Sequence, residues 1–368
     1  MGVYIYQLQG WPAFQWNQEA LSPLLAEVHH KRGRLLGRME GMDFALRDEA
    51  NLETLTLDVL RSSEIEGEML DKGQVRSSIA RRLGMEIAGQ APADRNTEGI
   101  VEMMLNATQH FNDPLTDERL FGWQAALFPT GRSGMYKITV GAWRDNKTDD
   151  PMRVVSRPEH RQTVHFQAPD ANLLENEMRA FMDWFNDGGH SDAVLKAAIA
   201  HLWFVTIHPF DDGNGRIARA ITDMQLSRAD STSYRFYSMS AQIKNERTTY
   251  YSILEETQKG DLDITGWLNW FLDCLNRALT ATEITLAAVL AKAAFWETHS
   301  RTTLSERQKL MVNKLLDGFE GKLNTSKWGK ITKCSPDTAL RDIQDMMNKG
   351  ILVKEIGGGR STSYTLVR

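Results

Sequence analysis

The stretch His208-Pro209-Phe210-Asp211-Asp212-Gly213-Asn214-Gly215-Arg216-Ile217-Ala218-Arg219 decides how this chain is read. Its twelve residues hold an imidazole, two carboxylates, two glycines and two guanidinium groups. An apolar helical segment, Ala193 to Ile207, precedes it, and a helical pattern resumes from Ile217 to about Arg228. The stretch is therefore expected to be a loop between two helices, with Gly213-Asn214-Gly215 opening the second.

A helix start leaves backbone N–H groups without partners at the positive end of the dipole. Glycines let a ligand approach that backbone closely. Together they make an anion site, and phosphate is its usual occupant. Arg216 and Arg219, three apart, are neighbours on the helix, and two such forks suit the outer phosphates of a nucleoside triphosphate. Asp212 is placed to hold Mg²⁺, which takes one or two carboxylates plus phosphate oxygens. His208 heads the loop, and an unperturbed imidazole titrates close enough to neutral pH to serve as a base. A phosphate-binding loop without chemistry would leave His208 unused.

The stretch resembles the motif of the Fic (filamentation induced by cAMP) family, H-x-F-x-[DE]-G-N-G-R-x-x-R, and matches all eight specified positions. The resemblance implies a mainly α fold: a Fic helical core with a β-hairpin flap, plus a C-terminal winged-helix domain. It implies a protein adenylyltransferase that moves AMP from ATP to a Ser, Thr or Tyr hydroxyl, with Mg²⁺ as cofactor. His208 would take the hydroxyl proton and Asp212 would hold the metal. Gly213, Asn214 and Gly215 would cradle phosphate, and Arg216 and Arg219, with Ile217 and Ala218 between them, would complete the nucleotide site. Asn245 is the candidate for the ribose or adenine end. Val164 and His165 are the candidates from the flap.

Upstream, Leu52, Leu55, Val59, Ser62 and Glu66 fall on one helical face, so an inward stripe ends in a carboxylate. A buried carboxylate is costly unless paired. Ser62-Ser63-Glu64-Ile65-Glu66-Gly67 resembles the family's inhibitory motif, [ST]-x-x-x-E-[GN]. The resemblance implies that Glu66 pairs with Arg219 in place of a γ-phosphate contact, Ser62 and Gly67 completing the motif.

Working outward, the chain has 368 residues, 42% hydrophobic and 25% charged, with a net charge of −5. That is an ordinary globular composition, with no general attraction to nucleic acid or anionic lipid. Two cysteines far apart, Cys274 and Cys334, suggest neither a disulfide framework nor a metal cluster. With no visible secretory signal and no long apolar run, a cytoplasmic protein without membrane association is expected. The expected organisation is a helical extension over 1–50, a Fic domain over 51–300 with its inhibitory helix at 51–70, and a winged helix over 301–368. Helices are expected at Gln18 to Met39, Lys72 to Leu83, Arg95 to Phe111, Asp117 to Leu127, Asn172 to Phe185, Met239 through Leu254, and Glu283 to Trp296. Met152 to Ser156 against Thr163 to Gln167 reads as the flap, on which a target polypeptide would dock by strand addition. Its His160 and His165 lack the partners of a metal site. His201 reads as a core histidine.

From 301 to 368 there are 13 Lys and Arg against 7 Asp and Glu. Helical patterns at Glu306 to Leu316, Asn324 to Ile331 and Ser335 to Lys349 precede a hairpin, Ile351 to Ile356 and Ser361 to Leu366, around Gly357-Gly358-Gly359. This is similar to the winged helix of longer Fic proteins. Asp337, Asp342 and Asp345 on the last of these helices argue against reading DNA, because acids would face phosphates. Protein docking or homodimer formation is the preferred role of this domain. The leading function is self-inhibited adenylylation of a target protein, or of the chain itself. The alternatives are transfer of another nucleotide, removal of AMP with Glu66 positioning water, and a DNA-binding regulator that senses nucleotide.

Overall fold

The computed structural model describes residues 3–85, 92–156, 163–189, 192–316, 319, 321–355 and 362–367. The chain divides into two compact units, Met1–Thr282 and Glu283–Arg368. The first unit runs α1 (Gln18–Glu40), α2 (Phe44–Ile65), α3 (Lys72–Arg82), α4 (Arg95–Gln109) and α5 (Asp117–Leu127). Four short strands follow: β1 (Arg132–Ser133), β2 (Tyr136–Lys137), β3 (Arg153–Ser156) and β4 (Thr163–Gln167). Then come α6 (Leu174–Asn186), α7 (Ala193–Ile207), α8 (Asn214–Asp230), α9 (Met239–Asn245), α10 (Arg247–Gln258) and α11 (Thr265–Thr298), whose last part belongs to the second unit. The molecule is mainly helical, as expected.

Helix α7 is the centre of the first unit. Every residue from Val194 to Ile207 is buried, the signature of a helix apolar all round and covered on all sides. It packs chiefly on α8 and α6. Aromatic rings fill the space around it: Trp203 meets Phe181 at 5.5 Å and Trp184 at 5.2 Å between centroids. Helices α4 and α5 approach so closely that a Cβ on Gly99 would lie 1.8 Å from the Ala126 carbonyl oxygen. Helix starts follow local chemistry, with Thr116 accepting from the Arg119 N–H at α5 and Asp94 from the Thr97 N–H at α4.

Strands β3 and β4 pair antiparallel, Val154 opposite Phe166 and Val155 opposite Val164, with a bulge between Val154 and Val155. Phe166 points inward, edge-on to Tyr4 at 5.1 Å, while Val164 is exposed. The tip of this hairpin, including His160, lies outside the described residues. A second small hairpin, β1 with β2, was not expected from the sequence.

Two helices differ from expectation. The helix expected to run from Met239 through Leu254 breaks at Glu246, whose φ is −111°. Its carboxylate is gripped by the Arg277 fork of α11, with two contacts of 2.6 Å. Conversely, the segment expected as a helix from Glu283 is the second half of α11, which holds no proline and has its one glycine, Gly266, at its second position.

The second unit continues from α11 through α12 (Glu306–Leu316), α13 (Thr325–Thr332) and α14 (Pro336–Asn348) to an antiparallel pair, β5 (Leu352–Lys354) and β6 (Tyr364–Leu366). Leu323 adds a bridge to Tyr364. Trp328, Met311, Ile343 and Met346 centre its core. Gly357-Gly358-Gly359, Ile356 and Ser361 lie outside the described residues. Among the described residues, no helix is long and apolar enough to cross a membrane.

Candidate active site

The loop from His208 to Gly213 is held at every step. His208 ends α7 in a left-handed conformation, φ 53°, which costs a non-glycine residue strain and persists only where the surroundings enforce it. Arg144 supplies much of that enforcement. It is 2% exposed, and its Nε donates to the His208 carbonyl at 2.7 Å and its Nη2 to the Pro169 carbonyl at 2.6 Å. Its backbone N–H donates to the Pro209 carbonyl at 3.0 Å. Burial lowers the Arg144 pKa to about 10. Phe210 is fully buried, 5.0 Å from the Trp143 ring. The Asn214 amide clasps Phe210, accepting from its N–H at 3.0 Å and donating to its carbonyl at 2.7 Å. Asp211 accepts the Thr139 N–H at 2.8 Å.

His208 Nδ1 lies 3.3 Å from the Val205 carbonyl. A carbonyl only accepts, so that contact places the proton on Nδ1 and leaves Nε2 with its lone pair. Burial pushes the imidazole pKa down to about 4; the Val205 contact opposes the shift, Arg144 adds to it, and Asp212 and Glu66 also oppose it. The ring is neutral at pH 7.

Helix α8 begins with no side-chain cap. Gly213 has φ +89°, and a Cβ there would lie 3.0 Å from the Phe128 ring, so only glycine fits. A Cβ on Gly215 would lie 2.4 Å from Glu66 Oε1. The carboxylate of Glu66 therefore sits directly on the glycine at the positive end of the helix, where an anion is favoured. Arg219 is 1% exposed; its Nη2 donates to Glu66 Oε1 at 2.8 Å and its Nε to Ser62 Oγ at 2.9 Å. Arg216 is 3% exposed; its Nη1 donates to Glu68 Oε2 at 2.7 Å, and its guanidinium lies 5.1 Å from the Phe128 centroid. Nη1 of Arg219 and Nε of Arg216 are buried donors with no acceptor among the described residues. Asp212 accepts from the Ser133 hydroxyl and, at 2.6 Å, from the Gly213 N–H.

Glu66 is not on a buried helical stripe, as the spacing predicts. Leu52, Leu55, Val59 and Ser62 are buried, but α2 stops at Ile65 and Glu66 is its C-cap, with its side chain 31% exposed. The cause is a Schellman turn. The Glu68 N–H reaches the Ser63 carbonyl at 3.0 Å and the Gly67 N–H the Glu64 carbonyl at 3.1 Å, with Gly67 at φ +87°. Gly67 makes the turn, and the turn delivers both glutamates. Lys244 Nζ and Arg247 Nε fix the helix end from α9 and α10, on the carbonyls of Glu64 at 3.1 Å and Ile65 at 2.9 Å.

The structure thus gathers His208, Asp212, Gly213, Gly215, Arg216, Arg219, Ser62 and Glu66. Ile217 and Ala218 are buried in the helix behind them. Asn245 is exposed at the end of α9 with no side-chain hydrogen bond among the described residues. His165 Nδ1 is 2.7 Å from Glu255 of α10, so this flap residue is tied to a helix. Sequence reasoning missed Arg144, Ser133, Glu68, Lys244 and Arg247. Only Glu68 had a signal, an acid two residues beyond Glu66. A cleft of about 350 Å³ lined by Phe185, Asp187, Lys196 and Arg228 lies at the other end of α7 from the motif.

Residues 114–226 match the Fic/DOC family, and residues 4–85 match a domain of unknown function, DUF4172. A protein adenylyltransferase Fic of Drosophila willistoni is 36% identical over 104 residues, 28% of this chain and 19% of that protein. A probable protein adenylyltransferase of Aquifex aeolicus is 30% identical over 104 residues, 28% of this chain and 30% of that one. The chain thus spans under a third of the length of either relative. The crystal structure of a Fic family protein from Desulfovibrio desulfuricans shares the fold, with a TM-score of 0.52 at 19% identity, over 95% of this chain and 96% of that one. Ser62, Glu66 and Glu68 come from the first matched segment, and the residues from His208 to Arg219 come from the second. The chain carries a Fic/DOC family domain, and a segment of unknown function supplies the carboxylates that meet its arginines.

Proposed function

We propose that this protein transfers AMP from ATP to a Ser, Thr or Tyr hydroxyl of a protein, and that Glu66 and Glu68 restrain it. The observation that carries the reading is the uncapped start of α8, with a neutral imidazole on one side and two buried guanidinium groups on the other. In the reaction the hydroxyl oxygen bonds to the α-phosphorus, the bond to pyrophosphate breaks, and His208 Nε2 takes the hydroxyl proton. Gly213 and Gly215 let the phosphates reach the helix N–H groups, and Arg216 and Arg219 take the outer phosphates bidentately.

Among the described residues, no three His, Cys, Asp or Glu side chains converge on a metal site. Mg²⁺ does not need one, because it binds through one or two carboxylates plus substrate phosphates and water. Asp212 fits: its two oxygens accept one hydrogen bond each and keep further lone pairs. Bound there, the ion would neutralise phosphate charge.

Geometry supports the restraint. Glu66 occupies the anion position at Gly215 and Arg219, and Glu68 occupies Arg216. The target, or the chain itself, would extend along an edge of the two-stranded flap. Incubation with labelled ATP and Mg²⁺, with mass analysis of modified residues, tests the activity. AMP should appear on hydroxyl side chains, and His208→Ala should cut the rate by about 10²–10⁴-fold while ATP still binds. Equal labelling by His208→Ala would end the proposal.

A further inference from the structure

The acids of α14 made DNA the lesser reading of the C-terminal unit, and the structure answers that objection for two of the three. Asp342 faces α12, where the Arg307 fork holds it at 2.9 and 3.3 Å, and its side chain is 12% exposed. Asp345 is engaged by Lys349 and by Gln308 Nε2 at 2.8 Å. What α14 turns outward is the row Asp337, Leu340, Arg341, Gln344 and Asn348, all exposed. Asp337 is the acid left on that row, in the first turn, where the helix dipole favours it. Arginine, glutamine and asparagine are the side chains that read guanine and adenine edges bidentately in a major groove. Lys330 near the end of α13 and Lys333 in the turn between α13 and α14 are exposed. Lys354 on β5 is exposed as well.

The layout supplies the geometry. Helices α12, α13 and α14, then β5 and β6, with Leu323 bridged to Tyr364, follow the order of a winged helix. Gly329 of α13 lies so close to the turn that a Cβ would meet the Cys334 carbonyl at 3.0 Å. This keeps α13 and the start of α14 tightly apposed, as a helix-turn-helix requires. Residues 301–368 carry 13 basic against 7 acidic residues, whereas the whole chain is net −5. The cationic excess is therefore concentrated here, which complements a polyphosphate backbone. We propose that the C-terminal unit binds double-stranded DNA, with the outer row of α14 in the major groove and Lys330, Lys333 and Lys354 on phosphates.

The test uses the full chain and a fluorescein-labelled 20-base-pair duplex, read by anisotropy. Three phosphate contacts predict a salt slope of about −2.7, or about 40-fold weaker binding at 200 mM than at 50 mM KCl. Lys330→Ala should lower that slope by about 0.9. Lys330→Glu with Lys333→Glu should weaken binding by at least about tenfold without moving the thermal midpoint. Selection from a random duplex pool should yield a preferred site, and Arg341→Ala should relax it at one position. Duplex RNA should bind more weakly, because its major groove is too narrow for a helix. Absent binding at 50 mM KCl, binding indifferent to the charge reversals, or equal affinity for duplex RNA would overturn the proposal. So would concentration-dependent self-association abolished by Leu340→Asp in a chain that ignores DNA, which would make the α14 face a protein interface.

Discussion

Arg219 is a single buried guanidinium with two claimants, the Glu66 carboxylate at 2.8 Å and, on the proposed reading, the outer phosphate of ATP. Burial works against its charge, and Glu66 with nearby tyrosines more than restores it, holding its pKa above the usual value. A charge-assisted hydrogen bond of this kind contributes about 1.5–3 kcal/mol. Glu66→Gly is expected to raise the initial rate of self-labelling by at least about tenfold, the factor equivalent to about 1.4 kcal/mol. Glu68→Gln should raise it less, because the Glu68 side chain is 47% exposed and its ion pair with Arg216 is screened by water. Arg219→Ala should lose activity, and combining it with Glu66→Gly should not restore it. Labelling rates for these variants at one ATP concentration decide the matter. A slower Glu66→Gly would leave Glu66 as a structural acid or as the group that positions water for AMP removal.

At the level of elements, α2 and α8 must keep a fixed relation for the two glutamates to meet the two arginines. A buried polar network lies beside that contact. Arg235 Nη2 donates to Asp223 of α8 at 2.9 Å, Arg32 of α1 donates to Asp230 with Nη2 at 2.6 Å, and Asp58 of α2 accepts from the Ser238 hydroxyl and, at 3.2 Å, the Ser240 N–H. Burial and the neighbouring Asp58 carboxylate push Asp223 well above the ordinary carboxyl range, with Arg235 opposing them. Arg235 is 1% exposed. Removing one partner of a buried pair leaves the other uncompensated, so Arg235→Met should cost about 3–5 kcal/mol of unfolding free energy. Urea titration measures it, and a loss below about 1 kcal/mol would mean that Asp223 is carried by its protonated form instead. The elements themselves were largely legible, because α4, α5 and α7 announce themselves by caps and apolar pattern. The break at Glu246 was not, and its carboxylate meets Arg277 on another helix, a contact no local pattern announces.

For the molecule as a whole, acid should destabilise the fold through its buried histidines. His201 is 1% exposed, hydrogen-bonded to Thr222 at 2.9 Å and Tyr250 at 2.8 Å. Burial, with Arg219 adding to it, depresses its pKa to about 3. In the unfolded chain it titrates near pH 6.5. A depressed folded pKa means that the unfolded state binds the proton first, so the contribution is intact above about pH 6.5 and is lost as pH falls toward 3. The slope is about 1.4 kcal/mol per pH unit for this one group within that window. Denaturant unfolding at several pH values, compared with His201→Gln, isolates it: the variant should lose about one proton's worth of slope between pH 6 and 4. Identical slopes would show that His201 is not the group being titrated.

The local chemistry was written in the order of the residues. His208, Asp212, Gly213, Gly215, Arg216 and Arg219 fall within one loop and the first turns of one helix, where backbone geometry alone fixes their neighbours. That order also marked α7 as an apolar helix and showed that positive charge gathers after residue 300. What those groups meet was set by packing. Arg216 and Glu68 are 148 residues apart, and Arg144 and the His208 carbonyl 64. No spacing rule connects them, since each pair forms only when segments far apart in the chain pack together. The same holds for α14: its acids read as a repulsive face until packing against α12 turned Asp342 onto Arg307 and left Arg341, Gln344 and Asn348 outside. Side-chain type is a property of sequence, but which charges remain unpaired is settled by the fold, because neutralisation depends on distance in space.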